Sequence, residues 1–462
     1  MYNPILKEAK VLNIVIMSMP VHHSVDYPGM SIMPPSAIYL LGGILKNNGY
    51  NVEIIDPYYF RKLNPIETSQ DSELQNYLKE KLKNVEVLCV SSNTLNWSMS
   101  KIVCEAVRCI YPNIKIILGG LHPTYFDEYI MRTNPIDYIL RGDGEKSLLC
   151  LIRAIENRND FENIPGLTWK KNGKVVRNQE VMPLCDKEIK ELPYPDFAAV
   201  PNQIYGIIPV ETSKGCKYAC RFCSIPHKHD WIGYEAEWAS DRLLNIIEKY
   251  GEKFSDTCVY IVDDCFTADN ERAINILTRI LEKNSQVKLI LEARASDLKD
   301  TRLLEILQSP QIIRVAVGVE CGYDRGLKSI NKGLTIELLE QRLQMFKKFN
   351  LIQKMFFSFI IGFPWEKLED YKLTMDYAAS IVKRFGYQNV NLNWLNLFPS
   401  DIWEKRKKYG IMFDEDIFDQ HGFIKDKNIF KAAHPQIDEY ALEYVQNYIG
   451  TYQSKGISLH NG

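Results

Sequence analysis

The segment Ile208-Pro-Val-Glu-Thr212-Ser-Lys-Gly-Cys216-Lys-Tyr-Ala-Cys220-Arg-Phe-Cys223 joins a short apolar run to three closely spaced cysteines. The run Ile208–Thr212 is predicted to be a β-strand, so the C-x3-C-x2-C segment is the loop that leaves its carboxyl end. Thiolates are soft ligands, and three of them on one loop suit an iron–sulfur cluster. A cluster of four irons held by three cysteines keeps one iron open to an exogenous ligand. The alternatives are chance spacing and a zinc site, but structural zinc normally uses paired C-x2-C half-sites and no second pair exists here.

The remaining cysteines have no such pattern. The chain of 462 residues has eleven cysteines, an odd number that makes a poor disulfide framework. Most of the others lie in apolar segments such as Val87–Val90, where a buried thiol behaves as a small hydrophobic group. The cysteine usage therefore predicts a reducing, cytoplasmic environment.

The overall composition is that of an ordinary globular protein. Lys and Arg number 56 against 58 for Asp and Glu, which gives a net charge of −2, and 46% of the residues are hydrophobic. Near-neutral charge argues against nucleic acid as a partner. No apolar run approaches the ~18 residues of a membrane helix, so no membrane association is expected. Pro4, Lys7 and Glu8 precede the first apolar run, so no signal peptide is predicted.

The first 155 residues alternate apolar runs with helical patterns. The predicted strands are Val11–Ser18, Asn51–Asp56, Val85–Ser91, Ile114–Leu118 and Tyr138–Leu140. The predicted helices are Pro35–Gly49, Asp71–Leu82, Met99–Ile110, Phe126–Arg132 and Gly144–Ile155. This alternation is typical of a parallel, doubly wound sheet. Asn172-Gly173 then predicts a β-hairpin, and the proline-rich Leu192–Asp196 predicts a linker.

A second alternating series follows the linker. Its predicted strands are Ile208–Thr212, Val259–Asp263, Leu289–Ala293, Ile313–Gly318, Phe356–Ile361 and Val390–Trp394. Its predicted helices are Asp241–Tyr250, Asn270–Lys283, Thr301–Leu307, Ile336–Phe349 and Glu369–Arg384. The series is shorter than the ~250 residues of a full eight-stranded barrel, so a partial barrel is favoured over a closed one, with an open α/β sheet as the alternative.

The sequence therefore predicts an α/β protein with four segments. Residues 1–185 form a Rossmann-like doubly wound parallel sheet, and residues 186–204 form a linker. Residues 205–398 form a partial (β/α)6 barrel, and residues 399–462 form a small C-terminal cap.

The cysteine loop resembles that of the radical SAM superfamily, in which an aromatic residue precedes the third cysteine, here Phe222. The resemblance implies that Cys216, Cys220 and Cys223 hold a [4Fe-4S] cluster. It further implies that S-adenosylmethionine (SAM) chelates the open iron and is cleaved to a 5′-deoxyadenosyl radical, which abstracts a hydrogen atom.

The resemblance also assigns SAM-binding residues at the carboxyl ends of strands. Asp264 stands in Val262-Asp263-Asp264, where the family usually has Gly-Gly-Glu, so the ligand of the SAM amino group stays open. Glu292 and Arg294 end the third strand, and the arginine suits a two-point contact with the SAM carboxylate. Glu320 and Lys332–Gly333 follow the fourth strand, and Gly362 follows the fifth, where a glycine lets the backbone approach an adenine. Alternatively, each charged residue is only a solvated strand end.

Three segments of the first half resemble the cobalamin-binding domain of the B12-binding-domain (class B) radical SAM proteins: Pro34–Asp56, Ile117–Thr124 and Asp137–Glu145. Gly119 and Gly120 lack side chains at a strand end, and Ser91 and Thr94 supply hydroxyls, so these residues are predicted to line a cobalamin crevice. The alternative is that Gly119-Gly120 only forms a tight turn. The D-x-H-x-x-G loop that supplies a histidine to cobalt is absent, and His22-His23 has a different spacing.

The resemblance implies an enzyme that methylates an unactivated carbon of a small molecule or peptide. It uses a [4Fe-4S] cluster, SAM and cobalamin, with an electron donor such as flavodoxin or ferredoxin. Radical cyclisation, rearrangement or oxidation without methyl transfer is the alternative. Methylthiotransferase activity is less favoured, because Cys89, Cys104, Cys109 and Cys150 lack cluster spacing. A B12 sensor would need no three-cysteine loop, and no general acid or base is identified.

Overall fold

A computed structural model of the chain describes residues 12–21, 33–63, 66–157, 160–385, 390–420, 423 and 426–453. Outside these ranges lie Val11 of the first predicted strand, His22 and His23, and Pro4, Lys7 and Glu8. The chain divides into two units: one runs to Pro201 and also takes in Phe418–Gly422, and the other takes in Asn202–Ile417 and the chain from Phe423 onward.

The first unit is built on one sheet of seven strands. They are β1 (Asn13–Ser18), β2 (Asn51–Ile55), β3 (Val87–Ser91), β4 (Lys115–Gly119), β5 (Tyr138–Leu140), β6 (Leu167–Lys171) and β7 (Lys174–Arg177). The spatial order is β2-β1-β3-β4-β5-β6-β7; the first five strands are parallel, and β6 and β7 are antiparallel. The helices are α1 (Ser36–Asn47), α2 (Pro57–Phe60), α3 (Ser72–Lys81), α4 (Trp97–Ile110), α5 (Leu121–Thr133), α6 (Gly144–Asn157) and α7 (Asp186–Lys190).

The second unit is built on a parallel sheet of six strands. The strands of this unit are β8 (Ile207–Val210), β9 (Ser213–Lys214), β10 (Ile232–Gly233), β11 (Cys258–Ile261), β12 (Lys288–Ala293), β13 (Ile312–Glu320), β14 (Met355–Ile361) and β15 (Val390–Trp394). The six-stranded sheet has the order β15-β14-β13-β12-β11-β8, so each strand lies beside the next one in the chain, as in a partial barrel; β9 and β10 form a separate antiparallel ribbon.

The second unit also contains helices, which lie between its strands and after the last of them. They are α8 (Ala236–Tyr250), α9 (Asn270–Lys283), α10 (Thr301–Leu307), α11 (Asp324–Ser329), α12 (Ile336–Lys348), α13 (Leu368–Phe385), α14 (Asp401–Glu404), α15 (Lys427–Ala433) and α16 (Glu439–Gln453). Helix α9 shows why they form: Asp269 caps its first turn by accepting a hydrogen bond from the Arg272 amide. Its buried residues, including Ala273, Ile276 and Ile280, recur at helical spacing. Within the described residues, no helix is long and apolar enough to cross a membrane.

Strand alternation in the second unit separates a buried face from an accessible one. In β14, alternate residues from Met355 to Ile361 are buried, and those between them, such as Ser358, are partly accessible. In β12, Leu289 and Leu291 are buried, whereas Glu292 between the buried positions is exposed. The sheet therefore packs one face under its helices and leaves the other open to ligands.

The predicted α/β fold class, with a doubly wound sheet followed by a six-stranded partial barrel, is confirmed. Two helices begin five residues earlier than predicted: α8 begins at Ala236 rather than Asp241, and α5 begins at Leu121 rather than Phe126. The earlier start of α5 is possible because Gly120 makes the turn and Pro123 is tolerated within the first turn of a helix. The segment predicted as a cap, 399–462, falls mostly in the second unit, whereas Phe418–Gly422 falls in the first.

Candidate active site

The cysteine loop runs between the two strands of the small ribbon and is fixed at its base. The Cys216 amide donates to the His227 carbonyl at 3.1 Å, and the His229 amide donates to the Cys216 carbonyl at 2.7 Å. Gly215, just before the first cysteine, has φ +69° and a side chain there would collide with the Asp230 carbonyl. The two arms of the loop are thus held together at Cys216.

The outer part of the loop is held by the segment that follows α11. The Arg221 amide donates to the Ile330 carbonyl at 3.0 Å, and its guanidinium donates to the Ser329 carbonyl at 3.0 Å. The Asn331 side chain donates to the Ala219 carbonyl at 2.9 Å. The backbone on both sides of Cys220 is therefore fixed before any cofactor binds.

One buried carboxylate anchors the stem of the loop. Asp263 is 2% exposed and accepts from both the amides and the hydroxyls of Thr212 and Ser213, at 2.6 to 3.0 Å. Arg272 donates to the Thr212 carbonyl and to the Tyr234 carbonyl, so it ties the end of β8 to the stretch after β10. Burial raises the pKa of Asp263, although the hydrogen bonds from Ser213 and Thr212 oppose that shift.

Two of the three loop cysteines, Cys216 and Cys220, have hydrogen-bond donors beside their sulfur atoms. The Arg294 guanidinium donates from Nη1 to Cys220 Sγ at 3.3 Å and lies 3.6 Å from the Tyr218 ring centroid. A hydrogen bond from Cys265 lowers the pKa of the Cys216 thiol to about 6, which favours the thiolate that a metal needs. Burial raises the pKa of Cys223 to about 11.

The donor set fits an iron–sulfur cluster. Cys216, Cys220 and Cys223 lie on one loop, and all eleven cysteines of the chain are free thiols. Within the described residues, no group of three His, Cys, Asp or Glu side chains is arranged to hold a single metal ion. In a cluster, cysteine thiolates are the ligands and hydrogen bonds to the sulfurs tune its potential. Soft thiols on a fixed loop, with hydrogen-bond donors aimed at two of them, match that requirement.

The predicted residues Phe222, Arg294 and Glu320 meet around Lys332. The Lys332 Nζ lies 2.8 Å from Glu320 Oε1 and 5.9 Å from the Phe222 ring centroid. Its carbonyl accepts from Arg294 Nη2. Glu320 is 7% exposed and has φ +77°, a strained conformation at the point where the register of β13 and β14 shifts. Glu320 is therefore paired with a lysine rather than free to bind a ligand alone.

Gly362 lies in a loop that Glu366 shapes. Gly362 has φ +89°, and an added Cβ would lie 2.8 Å from the Trp394 ring. The buried Glu366 carboxylate accepts from the amides of Gly362 at 2.8 Å and Phe363 at 2.9 Å, and from the Tyr323 hydroxyl at 2.8 Å. The sequence pattern alone does not predict this role of Glu366.

Asp264 and Glu292 lie at the ends of the neighbouring strands β11 and β12. Both side chains are exposed, and the Tyr260 hydroxyl donates to Glu292 Oε1. Partial desolvation of its carboxyl, together with the charges of Asp263 and Glu292, raises the pKa of Asp264 to about 6. Their predicted role in binding the SAM amino group stays a prediction.

The predicted crevice of the first unit lies at the ends of β3 and β4. Ser91, Gly119 and Gly120 are partly accessible there, and Gly120 has φ +97°. Thr94 is 4% exposed and its hydroxyl lies 3.4 Å from Nδ1 of His122, so its side chain is less available to a ligand than predicted. The predicted role of these four residues in cobalamin binding stays a prediction.

A second feature of this unit was missed from the sequence. The His122 ring stacks on Trp97 at 4.9 Å between ring centroids and contacts Phe418 at 5.6 Å. Asp419 accepts from Trp97 Nε1 at 2.7 Å, from Lys101 Nζ and from the Tyr129 hydroxyl, both at 2.9 Å. Phe418 and Asp419, which we call the return segment, belong to the first unit although they lie more than 200 residues after Pro201. No local sequence pattern predicts that they contact Trp97 and His122.

The fold and the loop together define an α/β protein with a three-cysteine loop that follows the first strand of a partial barrel. Two family models match the chain: the radical SAM superfamily over residues 210–378 and the B12 binding domain over residues 30–151. The chain is therefore a B12-binding-domain radical SAM protein, as its sequence predicts. Such a protein uses a [4Fe-4S] cluster with SAM, and its first domain binds cobalamin.

Curated relatives and solved structures are similar over most of the chain. An uncharacterised methyltransferase of Pyrococcus horikoshii is 27% identical over 90% of this chain and 96% of its own length. An anaerobic magnesium-protoporphyrin IX monomethyl ester cyclase of Rubrivivax gelatinosus is 22% identical over 89% of this chain and 72% of its own. The radical SAM methyltransferase TsrM from Kitasatospora setae superposes with a TM-score of 0.67 at 18% identity, covering 93% of this chain and 83% of its own. The cobalamin-dependent radical enzyme OxsB superposes with a TM-score of 0.66 at 18% identity, and the match covers 97% of this chain and 62% of the OxsB chain.

Proposed function

We propose that this enzyme is a cobalamin-dependent radical SAM methyltransferase that acts on a carbon atom of a small molecule or peptide. The observation that carries the proposal is the three-thiol loop at the carboxyl end of β8, in a chain that also matches the B12 binding domain. The similarity to an uncharacterised methyltransferase over nine-tenths of the chain supports methyl transfer.

Different residues of the second unit bind the cluster and the separate parts of SAM in this proposal. Cys216, Cys220 and Cys223 hold the cluster, and the fixed loop backbone keeps their spacing. When bound, the cluster and SAM supply a carbon radical, and cobalamin supplies a methyl carrier. We propose that the backbone at Gly362, which Glu366 holds by a hydrogen bond, contacts the adenine. Arg294 brings a positive charge next to the loop, which supports its proposed contact with the SAM carboxylate.

The accessible face of the sheet supplies polar groups for a substrate. The Asn393 side chain donates to Ser358 Oγ at 3.4 Å, and the Asn391 side chain donates to Asn393 Oδ1 at 3.1 Å. Asn391 Oδ1 is buried and has no hydrogen-bond partner among the described residues. A buried acceptor without a donor is costly unless a ligand supplies one. We infer that a hydroxyl or N–H group of the substrate binds there.

Radical cyclisation without methyl transfer is the second candidate. It is favoured by the relatives named as magnesium-protoporphyrin IX monomethyl ester cyclases, which match 69 to 89% of this chain. The cofactor residues would be the same in both reactions, so only the product separates them.

The test begins with anaerobically purified protein. Iron, sulfide and cobalt are measured, and the absorption spectrum is examined for cluster and corrinoid bands. The protein is then incubated with SAM carrying a deuterated methyl group, dithionite and cobalamin, and methionine and 5′-deoxyadenosine are quantified. The triple variant of Cys216, Cys220 and Cys223 to Ala is expected to lose the iron and the 5′-deoxyadenosine.

Candidate substrates decide between the two reactions. A product heavier by one deuterated methyl group supports methyl transfer, and a product of unchanged carbon number supports the cyclase. Retention of all iron in the triple variant would contradict the proposed site. We further propose that flavodoxin or ferredoxin replaces dithionite in the cell, that the protein acts in the cytoplasm, and that nucleic acid is not a partner.

A further inference from the structure

The segment that follows α15 contacts the turn that follows β14. The Gln436 side-chain amide donates from Nε2 to the Phe363 carbonyl at 3.0 Å and to the Gly362 carbonyl at 3.4 Å. The amides of the same two turn residues donate to the Glu366 carboxylate. Both peptide groups of the turn are therefore held: the amides by a residue of the same loop, and the carbonyls by a residue 73 and 74 positions further along the chain.

The same C-terminal segment also covers one side of Gly362. An added Cβ at Gly362 would lie 3.2 Å from Cδ2 of the His434 ring and 2.8 Å from the Trp394 ring. The His434 ring is 3% exposed, stacks on Phe430 at 4.3 Å between ring centroids, and has its Nδ1 at 2.9 Å from the Phe430 carbonyl oxygen. Gly362 has φ +89°, a conformation that glycine adopts readily and other residues do not. The C-terminal segment thus supports this turn by packing as well as by hydrogen bonds.

We propose that Gln436 is a positioning residue for SAM: it holds the Gly362 turn in the conformation that the adenine contacts, which makes the C-terminal segment part of the cofactor site. The inference rests on the proposed function, because the adenine must contact the backbone at Gly362. A turn that loses these hydrogen bonds must be ordered again when SAM binds, and the ordering weakens the affinity. Because Gln436 acts through the turn, the rate at saturating SAM is expected to stay unchanged.

The experiment compares the anaerobic holoenzyme with its Gln436→Met variant, whose side chain has a similar length but no N–H donor. SAM binding is measured by equilibrium dialysis with radiolabelled SAM and by the change that SAM causes in the EPR signal of the reduced cluster. Loss of the donor to two buried carbonyls is expected to weaken SAM binding about 5- to 30-fold. The KM for SAM in 5′-deoxyadenosine formation is expected to rise by the same factor, whereas kcat and iron content are expected to stay unchanged.

Two further variants and a second ligand sharpen the test. Gln446→Met makes the same change at an exposed position of α16 and is expected to leave SAM binding unchanged. Gln436→Glu keeps the shape of the side chain but turns a carboxylate toward two carbonyl oxygens, so it is expected to weaken SAM binding at least as much as Gln436→Met. Methionine has the amino acid part of SAM without the adenine, and its binding to the cluster, measured by EPR, is expected to be equal in all of these proteins.

The outcomes separate the inference from the function on which it rests. If the unchanged enzyme binds no cluster or no SAM, the proposed function fails. If it binds both, but a variant of Gln436 with full iron content binds SAM equally well, the positioning role is wrong. Equal weakening of SAM and methionine binding would place the effect at the cluster rather than at the adenine and would overturn the inference. Loss of iron in both Gln436→Met and Gln436→Glu would make Gln436 a residue of general stability and would overturn it as well.

Discussion

At the scale of single residues, Asp263 shows how one carboxylate sets up the site. It takes four hydrogen bonds from Thr212 and Ser213, directly before the cysteine loop. Asp263→Ala leaves these donors buried and unpaired, and we expect it to lower the free energy of unfolding of the second unit by about 3 to 5 kcal/mol. The same variant is expected to lose iron, because the stem of the loop is released.

The measurement combines urea unfolding with the iron content per chain. Asp256→Ala is the matched control, since Asp256 is an exposed carboxylate just before β11 whose change is expected to have an effect within about 0.5 kcal/mol. Full iron content and unchanged stability in Asp263→Ala would show that the stem does not depend on this carboxylate.

Glu366 gives a prediction about pH. Burial raises its pKa to about 7, and the nearby Asp370 carboxylate adds to the shift. Since the neutral form is preferred in the folded state, the stabilisation is complete below the unfolded pKa near 4.5 and is lost as the pH rises toward 7. Glu366→Gln mimics the neutral form: its carbonyl accepts from Gly362 and Phe363, and its amide donates to Tyr323.

We therefore expect Glu366→Gln to match the unchanged protein at pH 4.5 to 5 and to exceed its stability by up to about 3 kcal/mol at pH 8. Thermal unfolding across this pH range measures the difference. A constant offset between the two proteins at every pH would contradict a titrating Glu366.

At the scale of secondary-structure elements, the two adjacent glycines at the end of β4, Gly119 and Gly120, are expected to respond differently to substitution. An added Cβ at Gly120 lies 2.5 Å from the Ser92 carbonyl oxygen, at φ +97°, whereas at Gly119 the nearest atom is the Leu140 oxygen at 3.8 Å. Gly120→Ala is expected to destabilise the first unit by more than 2 kcal/mol through collision and strain. Gly119→Ala is expected to fold normally and to weaken cobalamin binding, because its methyl group enters the predicted crevice.

Unfolding of the two variants and their corrinoid content after reconstitution test this pair. Each glycine is the control for the other. Normal stability in Gly120→Ala would contradict the strained turn, and normal corrinoid content in a folded Gly119→Ala would remove Gly119 from the crevice.

Most elements could be predicted from the sequence because their signals are local. Asn172 and Gly173, at φ +51° and +77°, form the hairpin between β6 and β7 that the Asn-Gly pair predicts. The helices α9 and α10 match their predicted bounds, because each has an aspartate cap and an apolar stripe. The four-residue α2 and the six-residue α11 were missed, since such short pieces carry too little periodicity.

The site could be predicted only in part. The three cysteines are close in sequence, so their spacing is visible without a fold. The pairing of Glu320 with Lys332, and of Cys265 with Cys216, joins different strand ends, so neither partner predicts the other. The contact of Thr94 with His122, at the start of α5, likewise joins two separate segments, so the sequence around Thr94 does not predict it.

At the scale of the whole molecule, Asp419 completes the first unit from a distant part of the chain. Asp419→Ala removes three hydrogen bonds and leaves the Trp97 indole N–H without its acceptor. We expect faster hydrogen exchange in the peptides of α4 and α5, by about 10- to 100-fold for a loss of 1.5 to 3 kcal/mol. Peptides of α9 in the second unit are expected to exchange at unchanged rates.

Asp416→Ala is the control, because Asp416 is an exposed carboxylate on the same short helical segment. A fragment of residues 1–201 is expected to show the same loss of protection from hydrogen exchange in α4 and α5, because it lacks Phe418 and Asp419. Full protection in that fragment would show that the first unit needs no help from the return segment.

Because Phe418 and Asp419 come late in the chain, the first unit cannot form all of its contacts until most of the protein has been synthesised. A ribosome must add more than 200 residues after Pro201 before these two leave it, which takes about 10 to 40 s at ordinary elongation rates. During that interval the nascent first unit lacks the aromatic cover over His122 and the acceptor for Trp97. The N-terminal unit is thus made first but finished almost last, and this interval is when chaperones would be needed most.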